Sequence, residues 1–278
     1  MEKLSLILRE LRYHQWVKNF VVFLPIFFGG MITDINTLVP ASLTFIVFTL
    51  SASLVYIVND YRDIEEDKLH PVKKFRPLAS GAMSILEARI IAVALILFIL
   101  LLLGFIGNKS LYLIILFYIG LNFLYSYYFK KIPFVELILV AIFYNFRLLG
   151  GGVTTDISIS LWLNLIVFFG SLFVITGKRI SEKQNTEVRS VLKRYTPRAL
   201  SYTFIFSAII CAAVISEYAF VQGLVYVPIA VLFIMSLIRY VHLVITRKQG
   251  ESLNIFLDKY LLLSITLFTL YSLLIIYY

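Results

Sequence analysis

Nine near-continuous apolar stretches constrain this chain more than any other feature, each close to the ~20 residues that carry an α-helix across ~30 Å of hydrocarbon. They run over about 17–34, 39–58, 86–106, 111–129, 133–152, 160–177, 198–216, 221–241 and 260–277. None alternates polar with apolar residues as a membrane barrel strand does. Spanning helices are then the architecture that satisfies every backbone group without water. The expected fold is an all-α polytopic membrane protein with nine transmembrane helices. Composition agrees, with 60% hydrophobic residues and a mean hydropathy of +0.91. Pro25 and Gly29-Gly30 interrupt the first run and predict a kink. No Ser- or Pro-rich linker divides the chain, so residues 1–278 read as a single integral membrane domain. Cys211 stands alone, which excludes an intrachain disulfide, and His14, His70 and His242 lack zinc-site spacing.

Charge sets the orientation. With the N-terminus in the cytoplasm, 23 of the 25 Lys and Arg residues fall on that side. The other two are Lys109 on the opposite face and Arg147 inside the fifth run. This is the bias of the positive-inside rule, and it predicts a multi-pass protein of the cell (inner) membrane with its polar head in the cytoplasm. The N-terminus is basic and amphipathic (Lys3, Arg9, Arg12, Lys18), with no small-residue cleavage site after the first run, so no cleaved signal peptide is expected. The net charge of +9 is accounted for by topology and an anionic substrate, with no need for nucleic acid.

One helix end stands out. After the second run the chain reads Val58-Asn59-Asp60-Tyr61-Arg62-Asp63, then Asp67, then Lys73, Lys74 and Arg76. At 3.6 residues per turn Asp60, Asp63 and Asp67 share one helical face, with Asn59 beside Asp63. Oxygen ligands stacked in this way suit Mg2+, which takes a few carboxylates and completes its shell with substrate phosphates. The cations that follow are the complement for those phosphates. A merely solvated helix end is the plainer alternative, but acids at a helix C-terminus oppose the macrodipole and cost stability. For the cations, the plainer alternative is that they only set topology.

The sixth run, four helices later and therefore parallel to the second, also ends in a polar segment, Thr176 to Arg189. This is the hydropathy pattern of an internal repeat. Its head reads Gly177-Lys178-Arg179-Ile180-Ser181-Glu182, two cations and one acid.

Asn59-Asp60-x-x-Asp63-x-x-x-Asp67 closely resembles the first aspartate-rich motif of the UbiA superfamily of intramembrane prenyltransferases. Tyr125-Ser126 with Lys130-x-Ile132-Pro133 resembles a further pattern of that superfamily. The resemblance implies a UbiA-like bundle whose cytoplasmic head caps helices two and six. Prenyl-transferring members carry a second aspartate motif on helix six, where this chain has Lys178-Arg179. In that respect it resembles the decaprenyl-phosphate phosphoribosyltransferase subgroup. Three more segments are similar to that subgroup: Arg12-x-His14-Gln15-Trp16-Val17-Lys18-Asn19, Phe146-Arg147-x-x-Gly150-Gly151 and Leu257-Asp258-Lys259. Lys259 replaces an expected arginine and loses its bidentate geometry.

The resemblance implies Mg2+-dependent transfer of 5-phosphoribose from phosphoribosyl diphosphate to a polyprenyl phosphate, with release of diphosphate. On that basis Asn59, Asp60, Asp63 and Asp67 are the expected metal ligands. Lys73, Arg76, Lys178 and Arg179 are expected on phosphate oxygens, and Glu182 on a cation or ribose hydroxyl. Gln15, Lys18, Tyr125 and Lys130 are the remaining expected substrate contacts, and Asp63, Asp67 and Lys178 the catalytic set. The acceptor phosphate is already largely ionised near pH 7, so no strong general base is required. The rival enzyme is a prenyltransferase with a prenyl diphosphate donor. The rival from another class is a lipid-phosphate carrier, for which polar groups through the midplane are expected. Surrounding lipid is the other partner, and a homo-oligomer stays open because lipid-facing and subunit-facing surfaces look alike in sequence.

Overall fold

A computed structural model describes residues 2–184, 190–247, 250 and 258–278. Eight of the described helices are long and apolar enough to cross a membrane. In chain order the α-helices are α1 (Glu2–Glu10), α2 (Leu24–Phe28), α3 (Ile35–Arg62), α4 (Ile64–Lys68), α5 (Ile85–Ile106), α6 (Lys109–Tyr127), α7 (Val135–Thr155), α8 (Leu161–Gln184), α9 (Pro197–Gln222), α10 (Val227–Arg247) and α11 (Lys259–Tyr277). Asn185 to Arg189, Lys248, Glu251 and Leu257, all in expected polar loops, lie outside the described residues.

The first apolar run departs from the expectation of one kinked helix. It forms an 11-residue 3-10 helix, Tyr13–Phe23, followed by the five-residue α2. Pro25 sits in the first turn of α2, where its missing N–H costs nothing. A 3-10 helix rises ~2.0 Å per residue, so the two pieces together reach about 30 Å, the thickness of the hydrocarbon. Tighter winding thus gives a short run the reach of a longer α-helix.

Helix boundaries follow local chemistry. Asp34 caps α3 by accepting from the Asn36 amide at 2.9 Å. Ser84 and Glu87 form a reciprocal capping box at the start of α5, and Gly107 ends that helix at φ 67°. Thr196 caps α9 with Pro197 behind it, and Asp258 caps α11.

The chain falls into two compact units. The first comprises residues 1–127 and 146–158; the second comprises 128–145 and 159–278. In the first, α3 is the central helix, packed by α5, α6 and the 3-10 segment. Lipid tails are as apolar as leucine, so close approach and interhelical hydrogen bonds must hold such helices together. Gly151 supplies the approach, since a Cβ there would lie 2.0 Å from the Val22 carbonyl oxygen. Thr44 donates to Thr154 at 3.0 Å, and the Asn108 amide donates to the Val153 carbonyl at 2.6 Å. In the second unit α8 packs on α9, and α10 packs on α9 and α11. Phe173 stacks on Phe204 at 4.5 Å, with Tyr240 edge-on to Phe173.

Candidate active site

The polar head of the first unit is built where α3 gives way to α4. The chain bends at Asp63 (φ −92°, ψ 11°), yet its amide still donates to Asn59 and its carbonyl accepts from Asp67. Helical spacing therefore persists across the bend, and Asp60 and Asp67 turn inward, at 3% and 2% exposure. Arg76 joins them: its Nη1 lies 2.9 Å from Asp60 Oδ1 and 2.6 Å from Asp67 Oδ2. Arg12 donates to Asp60 at 2.5 Å while stacking over Tyr56, and Lys73 stands 3.6 Å from Asp67. Arg12 holds the left-handed conformation (φ 52°), a conformation uncommon outside glycine, asparagine and aspartate.

Asp63 does not join this pair as the single-face expectation required. It takes a 2.6 Å bond from Arg62, its chain neighbour, because the bend turns it aside. Asn59 does point inward: its Oδ1 is buried without a hydrogen-bond partner. Among the described residues no three acids, histidines or cysteines are grouped closely enough to hold a metal by themselves. The donor set nonetheless fits Mg2+, which asks for only one or two carboxylates and leaves the other positions to water and phosphate. Two converging buried carboxylates and an orphaned amide oxygen meet that need.

A further acid in this head is Glu10, the last residue of α1, which sequence reasoning did not single out. It is 1% exposed and neither carboxylate oxygen makes a hydrogen bond of normal geometry. Burial, reinforced by the charge of Asp60, raises its pKa to about 7; Arg12, Arg76 and the Leu78 backbone pull weakly the other way. The only sequence signal was an acid inside an otherwise basic segment.

Below the head, the N-terminal and fifth-run motifs meet. Arg147 Nε donates to Asn19 at 2.6 Å and its Nη2 to Tyr118 at 2.8 Å, while Asn19 donates to Thr49 at 3.0 Å. The cost of a charge within a membrane span is thus offset by buried acceptors and by the Tyr118 ring face. Trp16 donates to the Leu11 carbonyl and Ser53, fixing the entry into the 3-10 segment. Gln15 and Lys18 lie half-buried on that segment, and Tyr125 half-buried on α6.

The head of the second unit lies on α8. Arg179 is 2% exposed and bidentate to Glu136 at 2.8 and 2.7 Å, with its third bond to Glu182 at 2.7 Å. It was expected on substrate phosphate. Its Nε, Nη1 and Nη2 are instead directed at two carboxylates, Glu136 and Glu182. Lys178 stands 3.9 Å from Glu182 and is partly exposed. Lys183 donates to the Tyr195 carbonyl, and Tyr195 accepts from the Phe134 amide at 2.7 Å. Lys130 is half-buried in the 3-10 turn Phe129–Lys131. Asp258 is engaged by both forks of Arg239, at 2.9 and 2.6 Å, so its role is to pin the start of α11.

The model of the UbiA prenyltransferase family matches residues 22–273. The decaprenyl-phosphate phosphoribosyltransferase of Corynebacterium glutamicum is 35% identical over 221 residues, which is 76% of this chain and 65% of that protein. The chain thus spans just under two thirds of that relative's length. The protein of the same name from Mycobacterium tuberculosis is 36% identical over 212 residues, 73% of this chain and 70% of that one. A UbiA homologue from Archaeoglobus fulgidus, solved with DMAPP and Mg2+, superposes with a TM-score of 0.70 at 21% identity, covering 97% of this chain and 98% of its own. An apo UbiA homologue from Aeropyrum pernix gives 0.66 at 17% identity, covering 93% and 97%. The chain is a member of the UbiA prenyltransferase family.

Proposed function

We propose that this protein transfers 5-phosphoribose from phosphoribosyl diphosphate to the phosphate of a polyprenyl lipid at the cytoplasmic face of the cell membrane. A bond forms between ribose C1 and a lipid phosphate oxygen, the C1–O bond to diphosphate breaks, and diphosphate leaves with the electron pair. The observation that carries this is the composition of the α8 head. Among the described residues it offers Lys178, partly exposed, over an arginine bound between two acids, where a second acidic metal site would serve a prenyl diphosphate. The two relatives at about 35% identity support the same substrate class.

Asn59, Asp60 and Asp67 are the groups that would hold Mg2+, and Asp63 is a further ligand if released from Arg62. The ion would supply charge neutralisation of the leaving diphosphate. Arg76 and Lys73, already in contact with the carboxylates, are the partners for phosphate oxygens of the donor. Arg12, on Asp60, is a third. Lys178 binds a second phosphate, with Glu182 directing it. Gln15, Lys18, Tyr125 and Lys130 complete the proposed substrate contacts. No proton need be removed from the acceptor.

The likeness to structures holding a prenyl diphosphate favours one alternative, prenyl transfer. A donor exchange separates the two. Purified protein is given Mg2+, polyprenyl phosphate and either labelled phosphoribosyl diphosphate or labelled prenyl diphosphate. Labelled lipid phosphate is expected from the first donor. Product from the second donor alone would overturn the proposal.

A further inference from the structure

We propose that the second unit carries a site for an anionic phospholipid of the surrounding bilayer, distinct from its substrate contacts. Lys131, Lys193, Arg194 and Arg198 hold the headgroup, and a groove beneath them takes an acyl chain. The groove has a volume of about 400 Å3 and is lined by Phe134, Leu137 and Ile138 of the α7 end, Leu172 of α8, and Tyr202 and Phe206 of α9. Two lining side chains carry a hydroxyl: Thr203, which already donates to the Ala199 carbonyl of its own helix, and Tyr202, which is largely exposed. Apart from the Tyr202 phenol, the groove presents apolar surface.

Two of the cations adjoin the groove lining along the chain. Lys131 precedes Phe134 by three residues. Arg198, Tyr202 and Phe206 follow one another at four-residue intervals, so they share one face of α9. That face runs from guanidinium through phenol to phenyl, the order of headgroup, interface and chain in a lipid monolayer. Lys131, Lys193, Arg194 and Arg198 are all exposed. Among the described residues none of them pairs with a carboxylate, and the acid in the first turn of α7, Glu136, is buried and bound to Arg179.

The two basic segments are fixed to each other before any lipid arrives. Arg194 donates to the Lys131 carbonyl at 3.1 Å. Tyr195, buried beside it, accepts from the Phe134 amide and packs edge-on against the Phe134 ring at 5.2 Å. These contacts hold Phe134 at φ 63°, rare for an aromatic residue, with its ring partly exposed at the mouth of the groove. A preorganised cluster of cations above a lipid-facing apolar groove fits one occupant by charge and by polarity, a two-chain lipid with an anionic headgroup.

The test uses the full chain in detergent, given equal amounts of phosphatidylglycerol and phosphatidylcholine with the same acyl chains, and native mass spectrometry to count retained lipid. Phosphatidylglycerol is expected to be retained in preference. Each cation near an anionic lipid surface is worth about fivefold, so the double variant Arg194→Gln, Arg198→Gln should reduce the preference about 25-fold. Lys68→Gln, on an exposed lysine of the other unit, should leave it unchanged. Glycerophosphoglycerol, the headgroup without chains, should compete poorly. Equal retention of both lipids, a preference that survives the double variant, or full competition by the headgroup alone would each overturn the site. So would displacement of phosphatidylglycerol by an equimolar amount of polyprenyl phosphate, which would make the groove part of the acceptor site.

Discussion

At the end of α3 two buried carboxylates, Asp60 and Asp67, share one arginine; on α8 one buried arginine, Arg179, is shared by two carboxylates, Glu136 and Glu182. The residue types are the same and the accessibility is opposite. Arg76 is partly exposed, at 27%, while Arg179 is almost wholly enclosed. A partly exposed guanidinium can exchange carboxylate for phosphate, provided another cation remains to hold the acids. An enclosed one with three of its donors committed can only hold shape. The first head is therefore built to exchange its cation and the second to keep its own.

The largest expected effect breaks the enclosed side. Arg179→Met leaves Glu136 buried without its partner and should cost about 3–5 kcal/mol of stability, read from unfolding in detergent. Mg2+ should not restore it. The matching Arg76→Met variant should lose less, and Mg2+ should recover most of the loss. Recovery of both variants, or of neither, would erase the distinction between the heads.

Asp67→Asn comes next, with transfer reduced about 10²–10³-fold at saturating Mg2+ in a single-turnover assay. A near-wild-type rate would remove Asp67 from the metal set.

Glu10 sharpens the comparison through pH. Its folded pKa of about 7 stands above its ordinary 4.5. Its neutral form then favours folding fully below pH 4.5, and that contribution is lost as pH rises through 7. Wild type should lose about 3 kcal/mol more than Glu10→Gln across this window, measured by denaturation at pH 4.5 and 8. Parallel curves would show that Glu10 is not held neutral.

The smallest effect belongs to Asn59→Ala, about tenfold weaker divalent binding by calorimetry. Without metal this variant should be as stable as wild type or slightly more so, since an unsatisfied buried acceptor has gone.

What could be read in advance follows the range of the interactions. The Asn59–Asp67 face was legible because helical period alone brings 60 and 67 together. The bond of Asp63 to Arg62 was not legible because a bend in the chain and an adjacent Arg62 compete with that period. The Arg179–Glu136 pair was not legible because the partners lie 43 positions apart, a separation no local pattern encodes. The 3-10 winding of the first apolar run accompanies the contact of Val22 with Gly151, a tertiary event, although the run itself and its proline were plain. Arg147 could be placed inside an apolar run from sequence, but its acceptors, Asn19 and Tyr118, came from two other segments.

The most direct test counts ions and asks which head holds them. Mn2+ replaces Mg2+, with phosphoribosyl diphosphate present, and bound ion is measured by electron paramagnetic resonance. One ion per chain is expected, lost in Asp67→Asn and retained in Glu182→Gln. Two ions per chain, or a single ion lost with Glu182→Gln and kept with Asp67→Asn, would contradict the division of labour between the two heads.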